Sequence, residues 1–343
     1  MPPDPAAASD FLTALQRMGL CAPGEHPQIE PLAGGVSSDI VRADLRRGPV
    51  CIKRALPKLK VQADWQAPVE RSRWEVEWMR TAARVAPEAV PEVLGEDGEL
   101  GMFAMAFLDE ATHPVWKAQL RDGHIDPVFA AEVGRRVARI HAATAHDPQV
   151  RTRFDTDHIF FPIRLEPYLI ATAHAHPDLA GALERIARDT GARHLTLVHG
   201  DVSPKNILCG PHGPVFLDAE CAWFGDPAFD AGFCLNHMLL KCLWRPQWTA
   251  RYLACFEHLG TGYLEGVVWE PRAELEARIA RLVPGLFLAR VDGKSPVEYV
   301  THDWQREAVR RIARRFLLQP VRTLAPIARA WREDSADWPQ SPQ

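Results

Sequence analysis

The feature that most constrains this chain is a polar, β-rich island set among segments of helical pattern. It reads Val198-His199-Gly200-Asp201-Val202-Ser203-Pro204-Lys205-Asn206-Ile207-Leu208 and resumes as Val215-Phe216-Leu217-Asp218-Ala219-Glu220. Leu195 to Val198, Ile207 to Leu208 and Val215 to Leu217 are short runs of apolar β-formers. A strand therefore delivers His199 and Asp201 into a loop, and Pro204 stiffens that loop by fixing φ. Asn206 opens the next strand and Asp218 closes the strand after it, so the oxygen-bearing side chains of Asp201, Asn206 and Asp218 converge at one end of a hairpin. Hard oxygen ligands with few carboxylates suit a Mg²⁺ ion that keeps waters and binds substrate phosphates. A further carboxylate, clear of the metal, suits proton acceptance from a hydroxyl nucleophile. The competing reading is a hairpin whose carboxylates only satisfy backbone donors, as Asp at loop starts commonly does. Six specified positions in eleven are more than capping requires.

The pattern changes near residue 110. Before it, Val50 to Lys53 and Leu100 to Leu108 read as strands, with an amphipathic helix over roughly 69–85 between them. After it, helical spacing prevails over 129–143, 179–188, 233–244, 272–282 and 304–318. The expected fold class is α+β: a small β-rich lobe, 1–108, and a larger, mainly helical lobe, 109–343, with a cleft between them. At 343 residues, 47% hydrophobic and 24% charged, the chain can bury a sizeable core, and a disordered or fibrous polymer is excluded. A formal charge of −4 provides no global basic field for nucleic acid or an anionic membrane. The first ten residues lack the basic and apolar regions of a secretory signal, and Met102 to Leu108 is far too short to span a membrane. Seven cysteines without a Cys-x-x-Cys pair read as reduced, buried thiols, and a cytoplasmic location is expected.

His199 to Asn206 followed by Phe216 to Glu220 resembles the catalytic and metal-binding loops of the aminoglycoside phosphotransferase and choline kinase superfamily, small-molecule relatives of protein kinases. The resemblance implies a bilobal, protein-kinase-like fold that moves the γ-phosphate of ATP to a small-molecule hydroxyl with Mg²⁺. It makes Asp201 the catalytic base, Asn206 and Asp218 the Mg²⁺ ligands, and Glu220 a further residue that orients metal or water. His199 is expected to brace the loop. Gly200 stands where protein kinases have Arg, and Ala219-Glu220 where they have Phe-Gly. Gly225-Asp226-Pro227-Ala228-Phe229-Asp230 follows within a dozen residues, leaving no room for a long activation loop, and its two Asp residues are expected to anchor the catalytic loop.

The same resemblance gives the N-terminal segments a nucleotide role. Gly34, Gly35, Ser37 and Ser38 form a turn whose backbone amides approach phosphates, although Gly-Gly-x-Ser is also a common hairpin turn. Lys53 is the strand lysine on the α- and β-phosphates. Of its two candidate helix partners, Glu75 has the apolar face, with Met79 and Ala82 following, and is preferred over Glu77. Met105 and Phe107 fall in the expected hinge beside adenine. Arg290 to Pro296 is read as an Asp-Gly turn between helices, with a role in the acceptor site as the alternative. Acceptors phosphorylated by such folds include aminoglycosides, choline or ethanolamine, methylthioribose, amino sugars and hydroxylated amino acids, and the motifs do not choose among them. Two readings compete: a metallohydrolase using His199 and Asp201 with His194 or His212, and a nucleotide-binding scaffold without catalysis. A serine hydrolase is not supported, since no Gly-x-Ser-x-Gly occurs.

Overall fold

The structure, a computed structural model, describes residues 5–32, 38–56 and 70–339. It begins with a helix, α1 (Pro5–Arg17), that the strand-like reading of the first 110 residues did not anticipate. Phe11, Ala14 and Leu15 give it a buried stripe at helical spacing. Then come β1 (Gln28–Pro31), β2 (Ser38–Leu45), β3 (Gly48–Ala55), α2 (Arg71–Ala83), β4 (Val93–Asp97) and β5 (Met102–Ala106). The five strands form one antiparallel sheet in the order β1-β2-β3-β5-β4.

β3 is buried on both faces, and side-chain alternation decides what each face meets. Val50 and Ile52 join Phe11 and Leu15 of α1 in one core cluster, while Cys51 joins Val76 and Met79 of α2 in the other. Lys53 lies two residues beyond Cys51 and so shares the α2 face.

The remainder is mostly helical: α3 (Trp116–Arg121), α4 (Pro127–Thr144), α5 (Pro148–Arg153) and α6 (Asp157–Phe160), then a π-helical segment over Phe161–Ile170. After α7 (Ala171–Ala175) and α8 (Ala180–Gly191) come four short strands, β6 (Thr196–Val198), β7 (Ile207–Gly210), β8 (Gly213–Phe216) and β9 (Trp223–Gly225). The chain ends in α9 (Ala228–Trp244), α10 (Thr249–Glu265), α11 (Arg272–Asp292), α12 (Asp303–Leu318) and α13 (Ala325–Asp334). α9 is buried at every position from Ala228 to Leu243 and forms the axis of this part. α11 runs ten residues past its expected end at 282, through Pro284. An interior proline costs about 3 kcal/mol, and here Leu282, Val283, Leu286, Phe287 and Leu288 are all buried around it. Among the described residues no helix is long and apolar enough to cross a membrane, and all seven cysteines are free thiols.

Candidate functional site

The island folds as two small antiparallel pairs. β6 pairs with β9, Val198 opposite Trp223, and β7 pairs with β8, Ile207 opposite Phe216. Between β6 and β7 the chain passes through a single 3-10 turn, Pro204–Asn206. Asp230, in the first turn of α9, fastens the loop: its Oδ2 accepts from the His199 amide (2.7 Å) and its Oδ1 from the Gly200 amide (2.8 Å). His141 of α4 holds Asp230 in turn, Nε2 to Oδ2 at 3.2 Å. Asp226, the other expected anchor, does something else. It accepts from the Ala228 amide (3.0 Å) and pairs with Arg278 of α11 (3.1 Å), so it ties the start of α9 to α11 rather than gripping the loop.

His199 uses both ring nitrogens on the loop itself. Nδ1 accepts from the Asp201 amide (3.1 Å), so Nε2–H donates to the Leu217 carbonyl (3.1 Å). Burial lowers its pKa, and the imidazole is neutral. Neither nitrogen is left for a metal. His194 pairs with Asp157 (3.1 Å) and His212 is exposed, so the imidazoles of the hydrolase reading do not assemble around Asp201.

Gly200 has φ of +81°, and a Cβ there would come within 2.6 Å of the Cys221 carbonyl oxygen. This accounts for Gly in place of Arg. Gly200→Ala is expected to destabilise the fold by about 2 kcal/mol, from the left-handed backbone and the close contact together. Denaturant unfolding at constant slope measures it.

The carboxylates meet a set of cations. Asp201 Oδ2 receives Lys205 Nζ and Arg164 Nη2, both at 3.0 Å, and its Oδ1 accepts from the Ser203 hydroxyl (3.3 Å). Burial alone would raise the Asp201 pKa, but the charges of Lys205 and Arg164 outweigh it and hold the group below the ordinary carboxylate range. Asp218 has φ of +67°, a conformation Asp tolerates better than most residues. Its Oδ1 accepts from Lys53 Nζ at 2.5 Å, and its Oδ2 lies 3.7 Å from Lys205 Nζ. Here too burial opposes ionisation, and Lys53 and Lys205 win, placing Asp218 well below the usual range.

Lys53 donates to both oxygens of Glu75, at 2.7 and 2.9 Å, within a fully buried contact. Burial pushes Glu75 upward while Lys53 pulls it back. Glu77 faces the surface, 3.5 Å from Arg80 and 3.7 Å from Arg153. One ammonium thus ties β3, α2 and the β8–β9 connection together. Glu220 accepts from Arg71 Nε (2.9 Å), the residue that opens α2.

The remaining candidates are less gathered. Gly34, Gly35 and Ser37 lie outside the described residues. Ser38 opens β2 with a buried hydroxyl that has no hydrogen-bond partner among the described residues. Met105 is buried on β5, opposite Cys51. Phe107 follows it, with the Arg42 guanidinium 4.7 Å from its ring centre. Of the expected turn at Arg290 to Pro296, the first three residues instead form the end of α11 and Gly293 to Ser295 a bend after it; Asp292 is tied to His176 (2.8 Å) and Arg310 (2.7 Å).

Sequence reasoning missed Lys205, Arg164 and Arg71 as parts of the site. Lys205 lies within the motif, and its position four residues after Asp201 was a usable signal. Arg164 comes from the π-helical segment, whose Pro162 and Pro167 hide any helical period. Nothing in the sequence around it singles it out.

The donor set fits a hard divalent cation. Asn206 spends its amide nitrogen on the Asp201 carbonyl (3.1 Å), which leaves its oxygen for a metal, and the Lys205 ammonium already bridges Asp201 and Asp218 as a cation. Among the described residues no three His, Cys, Asp or Glu side chains gather as a metal site. Asn206 and Asp218 are the side chains here whose oxygens would suit a Mg²⁺ ion that takes its remaining ligands from elsewhere.

Residues 28–275 match the model of the phosphotransferase enzyme family. A methylthioribose kinase from Pectobacterium carotovorum is 27% identical over 224 residues, 56% of this chain and 54% of that protein. One from Escherichia coli is 23% identical over 262 residues, 67% of this chain and 62% of that protein. The chain thus matches a little over half the length of these curated relatives. A choline/ethanolamine kinase family protein from Mesorhizobium loti superposes with a TM-score of 0.53 at 17% identity, covering 96% of this chain and 98% of that one. A Plasmodium vivax ethanolamine kinase gives 0.52 at 11% identity, covering 96% and 88%. At such identities the likeness is one of fold: an α+β, protein-kinase-like architecture.

Proposed function

Because this chain belongs to the phosphotransferase enzyme family, we propose that it transfers the γ-phosphate of ATP, with Mg²⁺, to a hydroxyl group of a small molecule. The observation that carries this is the Lys53 ammonium held at once by Glu75 and Asp218, with Asp201 one Lys205 side chain away. A scaffold has no use for five charged groups from four segments joined in one chain of ion pairs. The cleft lies between the sheet and the helical part, divided near residue 108, with adenine beside Met105 and Phe107.

In this reading Lys53 grips the α- and β-phosphates, and Glu75 keeps its ammonium from swinging away. Gly34, Gly35, Ser37 and the Ser38 hydroxyl offer donors to phosphate oxygens. Asp218 and Asn206 would hold Mg²⁺, whose chemistry there would be neutralisation of phosphate charge. Glu220, committed to Arg71, fixes the segment after Asp218. Asp201 accepts the proton of the acceptor hydroxyl as that oxygen attacks in line, and Lys205 and Arg164 keep the carboxylate ionised and aimed. The site acts by positioning and charge complementarity, with no covalent intermediate.

The reading is tested by ligand-induced stabilisation. Mg-ATP at a hundredfold over its Kd is expected to add about 2.7 kcal/mol to the native state. Lys53→Met should abolish most of that increment, whatever it does to the unliganded melting temperature. A wild-type protein whose melting is indifferent to Mg-ATP contradicts the proposal.

A further inference from the structure

One face of α9 runs from the catalytic loop into a set of buried donors that the reaction as described does not use. Asp230, Phe233, His237, Lys241 and Trp244 recur at spacings of three and four along this helix and so share a stripe. Asp230 fastens the catalytic loop. Phe233 lies 5.9 Å from the guanidinium of Arg164, the same Arg164 that contacts Asp201. His237 packs edge-on against Phe233 at 5.5 Å. Lys241 follows one turn later, about 12 Å along the axis from Phe233.

Lys241 is 1% exposed, and no hydrogen bond or ion pair reaches its ammonium among the described residues. Its neighbours are two stacked rings, Trp244 at 4.8 Å and Tyr299 at 5.0 Å. Cation–π contact offsets only part of the cost of burying an unpaired charge. The Tyr299 hydroxyl and Arg290 Nε are also buried without partners. His237, 8% exposed, has no hydrogen bond among the described residues either. Glu298, an acidic residue within electrostatic range of Lys241, is taken by Lys117. Arg290 donates through Nη1 to the Tyr168 hydroxyl (3.2 Å) and to Ser295 Oγ (2.8 Å), and the Tyr168 ring packs against Phe233 (5.3 Å), which brings Arg290 to the same stripe. Burial first, then the nearby cations, holds His237 well below its ordinary pKa. Burial and the nearby Lys117 bring Lys241 down to about 7. The cluster offers donors and positive charge, and Glu298, the acidic side chain that acts on Lys241, is already spoken for among the described residues.

We propose that His237, Lys241, Arg290 and Tyr299 form an acceptor subsite for a carboxylate, borne by the molecule whose hydroxyl meets Asp201. The proposal rests on the phosphotransfer reading and narrows its substrate class to hydroxy acids, away from polycationic acceptors. A carboxylate here would supply the missing counter-charge to Lys241 and accept from the Tyr299 hydroxyl.

The test is ATP turnover and melting with Mg-ATP present, using glycerate, 4-hydroxybutyrate, homoserine and gluconate against gluconamide, sorbitol, choline and kanamycin. A carboxylate is expected to be the preferred acceptor. Lys241→Met should raise its KM at least tenfold with kcat changed less than threefold, and should cut the gluconate-to-gluconamide preference about tenfold. Tyr299→Phe should move KM in the same direction. Because Lys241→Met replaces a buried amine that has no hydrogen bond among the described residues with an apolar chain of similar length, it should melt no lower than the wild type. Equal or better use of the amide, polyol or cations, no response to any of the four acids, or an unchanged KM in Lys241→Met would overturn the subsite. The Mg-ATP melting shift is read in the same samples. Its absence contradicts phosphotransfer itself, whereas its presence without a carboxylate preference contradicts only the subsite.

Discussion

Asp201→Asn is expected to lower kcat by about 10²–10⁴-fold while leaving Mg-ATP binding nearly intact. The substitution keeps shape and removes only the capacity to take a proton, so the loss is that of a general base. Asp201 is buried and accepts from Lys205, Arg164 and Ser203, which fixes its orientation before any acceptor arrives. Since its pKa is held below the ordinary carboxylate range, the base is ionised throughout the neutral region. The kcat/KM profile should therefore show no acidic limb from Asp201 between about pH 5 and 7. Steady-state kinetics with the Mg-ATP melting shift measured beside it separate the two effects. A variant that loses nucleotide binding as severely as turnover would assign Asp201 to the wrong step.

Asp218→Asn should cost at least about a hundredfold in kcat/KM and, unlike the first variant, should weaken Mg-ATP binding. Among the described residues Asp218 is the carboxylate that touches Lys53 and also lies within reach of Lys205, so its removal unbalances both ends of the proposed phosphate site. A pH signature follows. The folded-state pKa of Asp218 lies below its unfolded value near 3.9. Its ionisation therefore contributes stability above that value, and the contribution is lost as pH falls through the folded pKa. The stability gap between wild type and Asp218→Asn should be full at neutral pH and shrink below about pH 4. Unfolding titrations at pH 7, 5 and 3 measure it, and a gap that widens toward acid would reverse the assignment.

Much of the site was legible because its chemistry sits in short contiguous runs. Gly200, Asp201, Asn206 and Asp218 occupy one island, and turn chemistry and strand length place them without tertiary information. The choice of Glu75 over Glu77 was legible from helical periodicity alone. Other contacts were not. Arg164 reaches Asp201 from 37 residues upstream, out of a π-helical segment for which no periodic signal exists. Arg71 meets Glu220 across the two parts of the molecule. Asp226 and Asp230 look equivalent in sequence, yet Asp226, just before α9, pairs with Arg278, while Asp230, in the first turn of α9, holds the catalytic loop. α1 was overlooked because its buried stripe is only a few residues wide, within a proline- and alanine-rich start.

The central claim is that a phosphoryl group moves from ATP to a hydroxyl, and phosphorus NMR follows that group directly. The protein is incubated with Mg-ATP and the acceptor panel, with Asp201→Asn in parallel. The expected result is a new phosphomonoester resonance growing in step with ADP for at least one acceptor, and none in the variant. ATP turned over only to ADP and inorganic phosphate at the same rate in both proteins, or no ester with any acceptor, would contradict it.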